Sequence, residues 1–303
     1  MAVKVVQLLV TAADGAYIDL TTGSGGHLRV AAEALEPSAR LYGIDKDPQA
    51  VARARTNLTD CPQLKQIMQA SYGDLVAVAG RLEDRAFDGI LLDLGLSSVQ
   101  LDDAGRGFSF RYDGPLDMRY DPQSGERSAA DLVNTLDVGE LAETIRDFGE
   151  EKLAVRLARA IVRERQERMI RTTFDLARIV TATIPPPHRT KSLARVFQAF
   201  RIAVNRELDE LTGVLPGALS LLKVGGRLAV ISYHSLEDRI VKRFYQREAK
   251  GCICPPRYPV CVCGRVPQIK ILTRRVVVSD ASERESNPRS RSARLRVAEK
   301  IMP

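Results

Sequence analysis

The residues best suited to chemistry begin at positions 16–27, where a short apolar run (Ala16, Tyr17, Ile18) ends on Asp19 and is followed by Gly23, Gly25, Gly26 and His27. The run reads as a strand ending in a glycine turn. Leu28, Ala31, Ala32 and Leu35 then recur at helical spacing, so backbone amides at a helix N-terminus would face whatever rests on the glycines. A dinucleotide fingerprint would place a third glycine where Leu28 stands, so the cradle suits a nucleotide-like cofactor other than NAD. Four further strand ends carry polar side chains. The run 41–44 ends at Asp45, where nucleotide-binding sheets hold a ribose; the competing reading is an ordinary acid before the Asp47, Pro48 turn. Tyr72 follows a third strand and could stack on an adenine or simply sit at the surface. The buried run 87–92 delivers Asp93, Ser97, Ser98 and Gln100, and the run 228–232 delivers Tyr233, His234, Ser235 and Asp238. His234 is either functional or a hydrogen-bonded core histidine, and Ser235 with Asp238 reads as a helix-capping pair.

These positions need an α/β frame. Apolar strands alternate with helical patterns, as in a mostly parallel, doubly wound sheet, whose chemistry gathers beyond the carboxyl ends of the strands. From Leu101 neither periodicity is clean, and helical patterns then dominate at 128–134, 138–148, 150–167 and 173–183. The chain is therefore expected to hold a discontinuous catalytic domain, 1–101 with 192–303, and an inserted helical domain, 102–191. Runs at 269–278 and 293–298 are expected to close an antiparallel edge hairpin.

The chain's 303 residues, 45% of them hydrophobic, suffice for a full core, which excludes global disorder. A net charge of +7 and a pI near 9.3 fit a polyanionic partner such as nucleic acid. The charged helix face holding Arg156, Arg159, Arg163, Arg165 and Arg168 can be read that way or as a solvated surface. No apolar run is long enough to span a bilayer and the N-terminus reaches its first strand too soon for a signal peptide, so a cytoplasmic location is expected. Cys252, Cys254, Cys261 and Cys263 have a spacing that could take one tetrahedral zinc or remain reduced thiols.

The stretches 19–27, 43–48, 88–110, 114–118, 197–205 and 225–243 together resemble the ribosomal RNA small subunit methyltransferase H family, bacterial cytosine-N4 methyltransferases. The most specific are 92–103, with Gly107 and Phe108, and 232–242. The resemblance implies a class I, Rossmann-like S-adenosylmethionine-dependent fold with an inserted helical substrate domain. The implied acceptor is a cytidine in the decoding region of small-subunit (16S) ribosomal RNA, within an assembled or late-precursor subunit. It also implies donor contacts at Gly25, Gly26, His27, Asp45, Tyr72, Asp93 and Gln100.

On that resemblance, Asp93 and Gln100 would hold the methionyl end of the donor, while Ser97, Ser98 and His234 border the cytosine, with His234 as a base or an orienting group. Asp93 could also accept from the amino group as it becomes nucleophilic. Arg106, Arg111, Arg119, Arg156, Arg159 and Arg163 are the candidate RNA contacts. Two competing functions share this frame: an amino-methyltransferase with another acceptor, and a non-catalytic assembly factor that binds the donor for stability.

Overall fold

The computed structural model describes residues 1–252, 254, 255, 260 and 262–302, apart from the side chain of Ser286. The chain begins with α1 (Ala2–Leu9), β1 (Ala16–Asp19), α2 (Gly26–Glu33), β2 (Arg40–Asp45), α3 (Pro48–Asn57), β3 (Leu64–Gln69), α4 (Leu75–Ala79) and β4 (Phe87–Asp93). Six helices follow: α5 (Ser98–Asp102), α6 (Ala129–Thr135), α7 (Val138–Gly149), α8 (Ala154–Glu167), α9 (Thr173–Thr183) and α10 (Arg189–Asn205). The remainder is α11 (Glu207–Leu221), β5 (Leu222–Ser232), α12 (Ser235–Glu248), β6 (Ile269–Ile271), β7 (Val277–Val278), α13 (Ala281–Ser286) and β8 (Arg294–Lys300). Two compact units result, one of Met1–Gly95 with Leu208–Pro303 and one of Leu96–Glu207.

The first unit is a sheet in the order β3-β2-β1-β4-β5-β8-β6, with β7 also paired to β8. Strands β1 to β5 run parallel and β8 runs antiparallel to its neighbours. Because successive residues of a strand face opposite sides, the apolar runs feed two cores at once. Ile18, Ile44, Ile90, Leu92 and Val230 pack with α4, α11 and α12. Tyr17, Leu41, Leu91, Ala229 and Ile231 pack with α1, α2 and α3. Removing one fully buried side chain such as Ile90 costs about 2–5 kcal/mol. Asp19 pairs level with Gly43 and Leu91, and Asp93 level with Ile231, which sets their carboxylates at the same carboxyl edge of the sheet. The 269–278 run does not form one hairpin arm: it breaks into β6 and β7, each paired separately with β8.

The second unit is helical, with its own core of Phe108, Leu116, Met118, Leu141, Leu157, Ile161, Leu176, Phe197, Phe200 and Val204. Its boundaries correct the expected 102–191. The apolar side chains of α10 belong to this core, so the unit continues to Glu207, and on the other side it starts at Leu96. Reciprocal capping boxes start α6 (Ser128 with Asp131), α7 (Asp137 with Glu140) and α9 (Thr172 with Asp175), each satisfying helix amides that would otherwise lack partners. Between α5 and α6 the irregular chain is held by close backbone approach. A Cβ at Gly114 would stand 1.9 Å from the Ala104 carbonyl oxygen, so no larger residue fits there. Asn205, fully buried at the end of α10, accepts from the Tyr120 amide (2.9 Å) and donates to the Met118 carbonyl (2.7 Å). No helix among the described residues is long and apolar enough to cross a membrane.

Candidate active site

The glycine turn joins β1 to α2. Gly25 is left-handed (φ +85°) and precedes α2 with no side-chain cap, so the first amides of the helix are left to a ligand or water. A Cβ at Gly25 would stand 2.8 Å from Leu58, whereas one at Gly26 would meet nothing within 4 Å, which marks open space over the helix start.

Three strand-end carboxylates surround this turn. Asp45 Oδ2 accepts from the Gly23 amide (2.8 Å) and Oδ1 from the Asp47 amide (2.9 Å), tying the ends of β1 and β2 together. Burial nevertheless pushes Asp45 up to about 6, against the pull of those amides. Asp19 is buried, with Oδ1 accepting from Thr21 and Oδ2 without a hydrogen bond among the described residues. Burial and the neighbouring Asp93 and Asp45 raise it to about 6, opposed by His27. Asp93 Oδ1 accepts from the Tyr233 hydroxyl (3.0 Å), and Oδ2 lies 3.6 Å from His27 Nδ1. Its side chain is 23% exposed, and desolvation lifts it to about 7, with Glu237 adding to the rise and Tyr233 opposing it. Desolvation lowers the His27 imidazole below its ordinary value, and its Nε2 also lacks a hydrogen bond among the described residues.

Thr21 and Tyr233 complete this group without being prominent in the sequence. Thr21 Oγ1 donates to Asp19 (3.3 Å) and accepts from the Asp93 amide (2.6 Å), bridging β1 and β4. Tyr233 could have been suspected from its place at the end of β5, but nothing local to either residue says that one meets the backbone amide and the other the carboxylate of Asp93. Tyr72 sits on the short 3-10 turn after β3, partly buried against the first core.

His234, not Ser235, caps α12. Its Nδ1 accepts from the Glu237 amide (3.4 Å), while the Glu237 carboxylate accepts from the Tyr233 (2.8 Å) and His234 (3.2 Å) amides. Asp238, expected to complete the cap, instead bonds to Arg296 (2.7 Å) on β8, which holds its carboxyl below the ordinary range. In a neutral ring an accepting Nδ1 leaves the proton on Nε2. That nitrogen lies 3.1 Å from Glu237 Oε1 but off the line a hydrogen bond needs. His234 Nε2 is thus buried against the Glu237 carboxylate.

The remaining candidates belong to the second unit. Gln100 is buried and reciprocally bonded to Ser97: the Ser97 amide donates to its Oε1 (3.0 Å) and its own amide to Ser97 Oγ (3.2 Å). Ser98 opens α5 beside them. Arg106 corrects the expectation of an RNA contact. It is buried, donates to the Arg119 (3.1 Å) and Tyr120 (2.8 Å) carbonyls and lies over the Phe108 ring, so its guanidinium shapes the loop. Arg119 forks onto Asp117 (2.8 and 2.7 Å) and the Glu126 carbonyl (3.1 Å), which likewise makes it a loop tie. Arg111, Arg156, Arg159 and Arg163 are exposed. Arg165 instead donates to the Val133 and Leu136 carbonyls at the end of α6. Among the cysteines, Cys252, Cys254 and Cys263 lie together, and Cys261 is outside the described residues.

A mostly parallel sheet with a glycine turn after β1 and acids ending β2 and β4 defines a class I S-adenosylmethionine-dependent methyltransferase fold. The chain belongs to the MraW methylase family, whose model matches residues 1–301. It is 47% identical over 304 residues to the ribosomal RNA small subunit methyltransferase H of Trichlorobacter lovleyi, covering 99% of this chain and 97% of that protein. The protein of the same name from Thermomicrobium roseum is 51% identical over 288 residues, covering 95% and 88%. These relatives bear out the resemblance drawn from the motifs. Among solved structures, an rRNA methylase from Streptococcus thermophilus matches with a TM-score of 0.41 and 11% identity, over 98% of this chain and 92% of that one.

Proposed function

We propose that the chain methylates N4 of a cytidine in the decoding region of small-subunit ribosomal RNA, with S-adenosylmethionine as donor, acting in the cytoplasm on an assembled or late-precursor subunit. The observation that carries the donor assignment is the convergence of three strand-end carboxylates, Asp19, Asp45 and Asp93, around a helix N-terminus with no side-chain cap, where burial raises all three. Desolvation outweighs the pulls of His27 on Asp19, of Arg53 on Asp45 and of the N-terminal amine on Asp93, and acids in that state favour a ligand that brings positive charge. The buried Asp19 Oδ2 and His27 Nε2, which lack hydrogen bonds among the described residues, and the open space at Gly26, fit such a ligand.

In this reading Asp45 binds the ribose, through lone pairs beyond those that Gly23 and Asp47 engage. Tyr72 stacks on the adenine, and the α2 amides with Gly25 and Gly26 line the cradle. Asp93, fixed by Tyr233 and Thr21, holds the cationic methionyl end, and Gln100, Ser97 and Ser98 remain candidates for donor and base contacts. When bound, S-adenosylmethionine supplies an electrophilic methyl group for in-line displacement, a reaction governed chiefly by proximity and alignment. His234 orients the acceptor base, and the exposed Arg111, Arg156, Arg159 and Arg163 contact the phosphate backbone.

The test is incubation with isotopically labelled donor and small subunits lacking the modification, followed by mass-spectrometric mapping of the labelled nucleoside. Label in N4-methylcytidine within the decoding region is the expected result. Label in another acceptor would make the chain an amino-methyltransferase of different specificity, and donor binding with no transfer would leave a non-catalytic assembly factor.

A further inference from the structure

The connection from α12 to β6, residues 249–268, has no helix or strand among its described residues, and connections of this length without regular structure are uncommon in compact domains. Two of its described apolar residues, Val260 and Val262, are 71% and 74% exposed. At its base the Gln268 amide donates to the Glu248 carbonyl (2.8 Å), and Arg265 pairs with the Glu248 carboxylate. Farther out, three thiols converge. The sulfurs of Cys252, Cys254 and Cys263 all lie within 4.8 Å of one another, with 3.9 Å between those of Cys252 and Cys263. A disulfide needs about 2.05 Å, whereas thiolates around a tetrahedral zinc, each about 2.3 Å from the ion, stand about 3.8 Å apart. The Cys254 amide also donates to Cys252 Sγ (3.4 Å), which fixes the two cysteines in one tight turn.

We propose that Cys252, Cys254 and Cys263 form a structural zinc site that staples this connection. The three thiols give their protons to solvent on binding, and their sulfurs supply three of the four tetrahedral positions. The soft thiolate set selects zinc over magnesium or calcium, and a metal cross-link explains why cysteines gather in this connection. The site has no part in methyl transfer, so metal content reads it independently of the proposed acceptor.

The experiment uses the full chain, purified under reducing conditions with zinc present and then dialysed free of loose metal. Elemental analysis should find about one zinc per chain, lost in Cys252→Ser/Cys263→Ser. Absence of zinc from the unaltered protein, or equal zinc in protein and variant, would overturn the proposal. Should the double variant fail to fold, cobalt(II) exchange into the unaltered protein decides: thiolate-to-cobalt charge-transfer absorption with intense tetrahedral bands supports the site, and their absence overturns it.

Discussion

The strand-end carboxylates of the first unit and the capping and ion-paired carboxylates of the second are displaced in opposite directions. At the strand ends of the first unit, burial raises Asp19, Asp45 and Asp93. In the second unit Asp117, Asp131, Glu151 and Asp175 are lowered, because arginines, capping hydroxyls and helix amides outweigh their desolvation. Thus Asp175 receives the Thr172 amide at the start of α9, and Asp117 the fork of Arg119. An acid whose hydrogen bonds and cations outweigh its desolvation holds structure together; one in which desolvation wins stores a preference for a positively charged ligand.

The sharpest way to break this contrast is Asp93→Asn, which keeps the shape but removes the charge. Donor affinity by calorimetry should fall about 10- to 100-fold, the loss expected from one charge-assisted contact of about 1.5–3 kcal/mol, while thermal stability is kept or raised. Unchanged affinity would defeat the cation-binding role. Of comparable size, Asn205→Ala should lower unfolding stability by about 2–3 kcal/mol in denaturant titrations, since it strands the buried Tyr120 amide and Met118 carbonyl.

Titration should then separate the two groups of acids by sign. With folded values of about 6, 6 and 7 above an ordinary 3.8, the strand-end acids bind more protons folded than unfolded. Their contribution to the stability of the ligand-free sheet should therefore fall as pH rises from about 4 to 7. The lowered acids of the second unit contribute stability that is present above the ordinary carboxylate range and lost as pH falls through it. Hydrogen exchange resolved by segment reads both slopes. Donor affinity should rise about tenfold across pH 5.5–7.5 with release of protons, detectable by calorimetry in buffers of different ionisation enthalpy. The smallest effect belongs to Thr172→Ala, which removes one cap: about 1 kcal/mol of stability, with donor affinity unchanged.

The sheet and its strand ends were legible because runs such as Ile90, Leu91 and Leu92, apolar on both faces, leave few other placements. Helices of the second unit could be read from the helical spacing of their apolar residues, and the structure adds the caps Ser128, Asp137 and Thr172. Its limits could not: α10 carries an apolar face that suits a sheet-packing helix equally well, and only its neighbours assign it to the helical core. Arg106 shows the same ambiguity, since an arginine in a glycine-rich loop serves phosphate or carbonyls according to which way the chain turns it.

Local order therefore came from the sequence itself: the period of the apolar residues, the glycine turn, and the acids that follow strands. Tertiary structure alone decided which of those acids would be buried together, that Tyr233 and Thr21 would converge on Asp93, and that His234 would cap a helix through Nδ1 and so keep its proton on Nε2. The physical reason is that propensity and periodicity act between near neighbours in the chain, whereas desolvation and charge depend on what distant segments bring within a few ångströms.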